Sequence, residues 1–170
     1  MLEIRLAKKG DEDSISVLLA RLNSSDQIDY HQYLQFSLAE YIKNDNLLVI
    51  IKEKVIIGCL FFSFDPRKLL NINSSKDYYN FLDYFDIKDE LLITLDLLFI
   101  DVIYRLKGYG NSLLSSFVSK YKKSSIFIEN AAKAKFFFEK HRFINVNYKN
   151  EKSYYIRKYI EPGLCKNISW

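Results

Sequence analysis

The sequence predicts an α+β fold in a single domain spanning residues 1–170, and three observations predict it. At 170 residues the chain has the length that one hydrophobic core serves, about 100–200 residues. Short β-branched and aromatic runs are interspersed with stretches whose apolar residues recur at helical spacing, so both periods are present. A composition 49% hydrophobic and 16% aromatic suits a packed interior rather than a disordered chain.

Taken in order, Glu3-Ile-Arg-Leu-Ala alternates polar and apolar residues as a half-buried strand does, and Asp11-Glu-Asp-Ser supplies acidic and capping residues for a helix. Ile15, Leu18, Leu19 and Leu22 fall on one face of that helix. After a polar break at Asn23 to Gln27, Tyr30 to Lys43 carries Leu34, Leu38, Tyr41 and Ile42 at helical spacing. Leu47–Ile51 and Val55–Phe64 are β-branched and aromatic runs around the charged trio Lys52-Glu53-Lys54, which reads as an antiparallel hairpin. Gly58 interrupts the second run, as a bulge would.

Asp65-Pro66 ends that strand and opens an excursion over residues 65–90, first Asn/Ser-rich and then aromatic, with a short helix expected after Ser74-Ser75. A packed surface excursion is the preferred reading of it over a lid on a substrate. Leu91 to Asp101 is a long apolar strand broken by Thr94 and Asp96. Asn111 to Lys122 follows as a helix with Leu113, Leu114, Phe117, Val118 and Tyr121 on one stripe. A short strand (Ser125 to Ile128), a helix (Ala131 to His141) and a closing hairpin (Ile144 to Tyr148, Ser153 to Tyr159) complete the chain.

Several functional classes are disfavoured. No apolar run approaches the roughly 20 residues that span a bilayer, and Met1-Leu-Glu-Ile-Arg lacks the regions of a signal peptide, so a cytoplasmic location is expected. Cys59 and Cys165 lack metal-site spacing; both read as reduced, with Cys59 in the core, and no metal is expected. A net charge of +4 favours anionic ligands without the concentrated basic footprint of a nucleic-acid binder.

Glycine is scarce, five in the chain, yet two fall in Gly108-Tyr109-Gly110 between a strand and a helix. Glycine admits positive φ and a close approach of backbone N–H groups to one anion, and the helix start adds the positive end of its dipole. Arg105 and Lys107 supply charge for a pyrophosphate. The spacing Arg-x-x-Gly-x-Gly is neither that of a Walker loop nor that of a Rossmann fingerprint.

In this segment, Ile100-Asp-Val-Ile-Tyr-Arg-Leu-Lys-Gly-Tyr-Gly-Asn-Ser-Leu-Leu, the sequence resembles the GNAT acyltransferase superfamily. The element order (strand, two helices, three strands, helix, strand, helix, two strands) is similar to that family's as well. Ala134-Lys-Phe-Phe-Phe-Glu-Lys-His-Arg-Phe looks like a second family segment, with Phe137, Glu139, Lys140 and Phe143 matching, Phe138 replacing the family tyrosine and Arg142 the family glycine. The resemblance implies a mixed, mostly antiparallel central sheet flanked by helices, and acetyl-CoA as cosubstrate. It implies that the backbone around Leu97 to Ile100, including Leu98, Phe99 and Ile100, lines the pantetheine arm and contacts the acetyl carbonyl. Arg105, Leu106, Lys107, Gly108, Tyr109, Gly110 and Asn111 would hold the pyrophosphate, with Asn130, Phe137 and Phe138 completing the cofactor contacts.

Transfer to an amine calls for a base, and Asp96, a charged residue inside an apolar strand, is the candidate. Some family members are similar in carrying an aspartate there; its bland reading is a strand-end or surface residue. Asp101 is the poorer choice, being expected beside the loop and solvated. Phe138 cannot protonate a leaving thiolate; Tyr109, Tyr154 and Tyr155 are alternatives. His31 and His141 read as structural or exposed, and Lys120, Lys122, Lys123, Lys133, Lys135, Lys140 and Arg142 form a basic tendency, either a solvated face or a contact for the CoA 3'-phosphate or an RNA acceptor. The expectation is an N-acetyltransferase acting on a primary amine. Its partners would be acetyl-CoA and an amine acceptor, with no membrane and no nucleic acid unless the acceptor is an aminoacyl-tRNA; a homodimer is left open. The alternatives are a toxin of the same superfamily that acetylates aminoacyl-tRNA, and a CoA-binding module that has lost catalysis.

Overall fold

Seven strands and five helices make up the computed structural model, which describes residues 1–21, 37–64, 74–88, 92–129, 134–148 and 152–159. In chain order these are β1 (Leu2–Leu6), α1 (Glu12–Ala20), α2 (helical over 37–43), β2 (Leu47–Lys52), β3 (Val55–Ser63), α3 (Ser75–Tyr84) and β4 (Leu92–Ile100). A 3-10 turn (Val102–Tyr104) leads to α4 (Tyr109–Lys120), β5 (Ser125–Glu129), α5 (Lys135–Lys140), β6 (Ile144–Tyr148) and β7 (Lys152–Arg157). The sheet order is β1-β2-β3-β4-β5-β7-β6. β4 and β5 run parallel, whereas β1–β2, β2–β3, β5–β7 and β6–β7 are antiparallel. The expected α+β class and mixed sheet hold, with one addition to the expected order: α3 stands between β3 and β4. It begins where the sequence placed a short helix, the Ser74 hydroxyl accepting from the Asp77 N–H at 3.1 Å as an N-cap.

The chain divides into two compact units, Met1–Phe62 with Leu97–Val118 and Ser63–Asp96 with Ser119–Trp170. In the first, β2 is buried along Leu47–Ile51, which explains why that run is apolar throughout rather than alternating. Leu47, Val49 and Ile51 pack with Cys59, Phe61 and Phe99 against Ile15, Leu18 and Leu19 of α1 and Leu38, Tyr41 and Ile42 of α2. Burying each such side chain contributes about 1.5–3 kcal/mol. Burial also pushes the Cys59 thiol up, out of the reactive range. The hairpin turns on Glu53 and Lys54, both left-handed (φ 51° and 70°), as a two-residue loop of the primed type requires. Gly58 marks a bulge: pairing shifts from Ile50↔Gly58 to Ile51↔Ile56. A Cβ at Gly58 would collide with the Ile100 side chain and stand 2.8 Å from the Phe99 carbonyl oxygen. Arg5 and Asp11 form a two-pronged pair (2.7 and 3.0 Å), and the Lys8 N–H donates to the same carboxylate at 2.9 Å.

In the second unit β4 pairs with β5 from Leu92↔Ser125 to Thr94↔Phe127, and β7 lies between β5 and β6. Tyr78, Phe81, Leu82 and Phe85 of α3 pack on Leu92, Phe127, Tyr154 and Ile156. The Phe81 ring lies 5.0 Å from that of Phe127 and 5.8 Å from that of Tyr154. The described part of the 65–90 excursion is thus a packed helix. Among the described residues no helix is long and apolar enough to cross a membrane.

Three helices end in the same way. After α2 the Asp45 N–H donates to Ile42 O and the Asn46 N–H to Tyr41 O; after α3 the Asp86 N–H donates to Asp83 O and the Ile87 N–H to Leu82 O. After α5 the Arg142 N–H donates to Glu139 O (2.9 Å) and the Phe143 N–H to Phe138 O (3.2 Å). This closure needs a left-handed residue, ordinarily glycine. Here Asp45 (φ 56°), Asp86 (φ 50°) and Arg142 (φ 65°) fill it.

Candidate functional site

The site grows from the end of β4. Past Ile100 the Asp101 N–H donates to Ile57 O at 2.9 Å, and its side chain is 5% exposed. Its carboxylate accepts from the Ile103 N–H (3.3 Å) and from Arg21 Nη1 (2.5 Å). The expectation of a solvated Asp101 is therefore corrected: Arg21, just past α1, makes burial of this carboxylate tolerable, because a buried charge must be paired. Asp101 acts as the cap of the turn that follows, with the Tyr104 N–H bonded to Asp101 O at 2.8 Å.

Arg105 is anchored back onto β4. Its Nε donates to Ile100 O at 2.9 Å, and its guanidinium carbon lies 5.3 Å from the Phe99 ring centroid. Leu106 (φ 62°) and Gly108 (φ 84°) are the left-handed residues of the loop. Gly110 lies inside α4, so positive φ accounts for one of the two loop glycines, and the second left-handed position is taken by a leucine whose side chain is wholly exposed. The first helical bond of α4 runs from Ser112 N–H to Gly108 O (3.0 Å). Ahead of it stand the N–H groups of Tyr109, Gly110 and Asn111, the turn of a helix that favours an anion.

Lys107 Nζ donates to Ile103 O at 3.0 Å and lies 5.7 Å from the Tyr104 ring centroid. Lys52, the last residue of β2, brings its Nζ to 5.8 Å from the rings of both Tyr104 and Tyr109. Hydrogen bonding to Tyr109, and then electrostatic interaction with that side chain, hold the Lys52 ammonium above its usual value. Among the described residues, no carboxylate is within ion-pair distance of Lys52, Arg105 or Lys107. Such an arrangement can receive a phosphate. Sequence reasoning missed Lys52 and Tyr104, since neither carries a local pattern and their meeting depends on the fold.

Of the β4 residues, Leu98 is half-buried, Phe99 packs into the core of the first unit and Ile100 is buried beside Gly58. Asp96 belongs to the second unit, two residues beyond the last β4–β5 pair. It is neither at a strand end nor fully exposed. The Ser63 hydroxyl donates to its Oδ2 at 2.6 Å and the Thr94 hydroxyl to its Oδ1 at 2.9 Å. Thr94 also lies 3.4 Å from Ser63 O, and its single proton goes to the nearer carboxylate. Two hydroxyl donors hold the carboxylate in a fixed orientation.

Phe138 is buried among the rings of Phe137 (5.0 Å), Phe143 (5.6 Å) and Tyr155 (6.2 Å). Asn145 Nδ2 donates to the Tyr155 hydroxyl at 3.5 Å. Tyr154 is held in the α3 cluster. Half-buried His141 lies 5.4 Å from Phe137; burial, then Lys140, pulls its pKa down. Lys135 faces Glu139 at 3.9 Å, so that part of the basic tendency is a solvated helix face. Asn130, His31, Lys133 and Cys165 lie outside the described residues. Among the described residues no group of three or more His, Cys, Asp and Glu side chains could hold a metal ion.

No protein-family model and no curated protein sequence matches the chain. Solved structures do. A GNAT-family acetyltransferase from Bacillus cereus ATCC 10987 is 18% identical, with TM-score 0.61, over 95% of this chain and 99% of that one. A GNAT-family acetyltransferase from Staphylococcus aureus Mu50 is 13% identical, with TM-score 0.65, over 92% and 98%. N-acetylglutamate synthase from Neisseria gonorrhoeae, solved with coenzyme A and N-acetyl-glutamate, is 14% identical with TM-score 0.61 over 95% of this chain. The chain spans 36% of the length of that synthase and 44% of a matching Pyrococcus horikoshii chain. At these identities the likeness establishes the fold.

Proposed function

Starting from the GNAT fold of this chain, we propose that residues 1–170 form one cytoplasmic acetyltransferase domain that moves the acetyl group of acetyl-CoA to a primary amine. The observation that carries this reading is the turn between β4 and α4. Arg105 and Lys107 flank the glycine of the turn, with no carboxylate within ion-pair distance of either among the described residues. Two first-turn residues of that helix, Gly110 and Asn111, follow the left-handed Gly108. The residues fit a pyrophosphate, whose charge the cations offset and whose oxygens the N–H groups can meet.

In the reaction, the amine nitrogen attacks the thioester carbonyl carbon, a C–N bond forms, the C–S bond breaks and CoA leaves as the thiolate. The ammonium form of the acceptor must first lose a proton, and Asp96 takes it, directly or through one water; the proton that the nitrogen sheds after attack goes to the leaving thiolate through solvent. Its two hydroxyl donors keep the carboxylate oriented for that task. Phe138 supplies no proton to the thiolate, which at a thiol pKa of about 8.5 is a tolerable leaving group near neutral pH. The absent hydroxyl also favours a second reading, a domain that binds acetyl-CoA without transferring its acetyl group.

Acceptor-dependent CoA release across a panel of small amines, peptide N-termini and lysine peptides tests both readings. Asp96→Asn should lower turnover about 10²–10⁴-fold while leaving acetyl-CoA affinity nearly unchanged. Unchanged turnover removes Asp96 from the mechanism, and binding without release for every acceptor establishes the second reading.

A further inference from the structure

β2 is remote from the glycine turn in sequence, yet Lys52 at its end reaches the two tyrosines that bracket that turn. Tyr104 closes the 3-10 turn before Arg105, and Tyr109 opens α4 after Gly108. Their rings meet edge to face with centroids 6.3 Å apart, and Lys52 Nζ stands 5.8 Å from each. Lys107 approaches the Tyr104 ring too, at 5.7 Å. One aromatic ring therefore serves two ammonium groups.

The backbone of Lys52 is fixed by pairing on both sides, with Leu2 on β1 and Val55 on β3. A lysine at such a strand end ordinarily sweeps a wide arc, and ordering it on a ligand costs side-chain entropy. Two aromatic faces narrow that arc before any ligand arrives. They hold the ammonium 5.8 Å from the ring of Tyr109, the first residue of α4. A compact ammonium suits a phosphate oxygen.

We propose that Lys52 is a direct ligand of a phosphate group of CoA, delivered from β2 rather than from the glycine turn, with Tyr104 and Tyr109 as the residues that position it. The proposal rests on the CoA reading above and adds a cation that the turn itself does not contain.

Calorimetry on the full chain, with CoA and with 3'-dephospho-CoA, tests it in the wild type, Lys52→Met and Lys52→Arg. Methionine keeps the length and the packing against the rings; arginine keeps the charge. Lys52→Met should weaken CoA binding about tenfold or more, and Lys52→Arg should restore most of it. The loss of affinity between about 50 mM and about 500 mM salt should become shallower in Lys52→Met, because one screened charge contact is gone. Equal weakening for both ligands places the contact on the pyrophosphate, and weakening for CoA alone places it on the 3'-phosphate. Lys52→Met binding within about twofold of the wild type, or weakened with an unaltered salt dependence, overturns the proposal. A wild type that binds neither ligand overturns the CoA reading itself.

Discussion

Replacing Arg142 with glycine should make the protein more stable. The residue stands at the left-handed closure of α5 with φ 65°, and its side chain is exposed. Holding an L-residue in that conformation costs about 1–2 kcal/mol. Glycine avoids this cost but regains about 0.5–1 kcal/mol of freedom in the unfolded chain, so the net gain is about 0.5–1 kcal/mol. The closure itself survives, because its two hydrogen bonds are made by backbone and the Phe138–Phe143 contact does not involve Arg142. A second contribution has the same sign. Arg157 Nη1 is buried without a hydrogen-bond acceptor among the described residues, and burial, then the charge of Arg142, pulls the Arg157 pKa down. Arg142→Ala removes the charge and keeps the strained backbone, so the pair of variants separates the two contributions. For a chain of this size each kcal/mol moves the midpoint by about 2–4 °C, which gives a rise of about 1–4 °C for Arg142→Gly. Denaturant and thermal unfolding are the assays. If Arg142→Ala stabilises as much as Arg142→Gly, the backbone argument is wrong and the charge alone matters.

Gly58→Ala should cost more than about 2 kcal/mol and shift the denaturation midpoint strongly, since its methyl group meets backbone at Phe99 as well as the Ile100 side chain; a near-neutral variant would mean that β3 and β4 can separate at no cost. The Arg5–Asp11 pair gives the acid limb a defined sign. Asp11 is held below its usual value chiefly by its hydrogen bonds to Arg5, so its contribution is complete above about pH 4 and disappears as the pH falls through the folded-state value. Asp11→Asn should therefore be about 1–2 kcal/mol less stable at neutral pH and lose that part of the acid dependence; parallel stability curves from neutral pH to pH 2 would refute the assignment.

Elements whose residues carry their own period were legible in the sequence. β2 reads as a buried run because it is one, and the hairpin at Glu53-Lys54 is bounded by strand formers on both sides. The glycine turn was legible as well, because glycine is otherwise so scarce. Features set by partners distant in the chain were not. Asp101 reads as polar and next to a loop, and nothing local announces that Arg21 will neutralise it. The same holds for Lys52, which looks like one member of a charged turn until β2 carries it to Tyr104 and Tyr109. The left-handed closures were hidden for a different reason: Asp45, Asp86 and Arg142 occupy positions where a glycine would have been read at once.

The exposed Leu106 has a practical consequence. It sits between Arg105 and Lys107 with nothing covering it, which places two trypsin-sensitive bonds on a projecting turn of the surface. A phosphate ligand seated in that turn would restrain the segment that a protease must draw out into its own cleft. The rate of cutting at this point then becomes a gauge of occupancy that requires no acceptor, no turnover and no label.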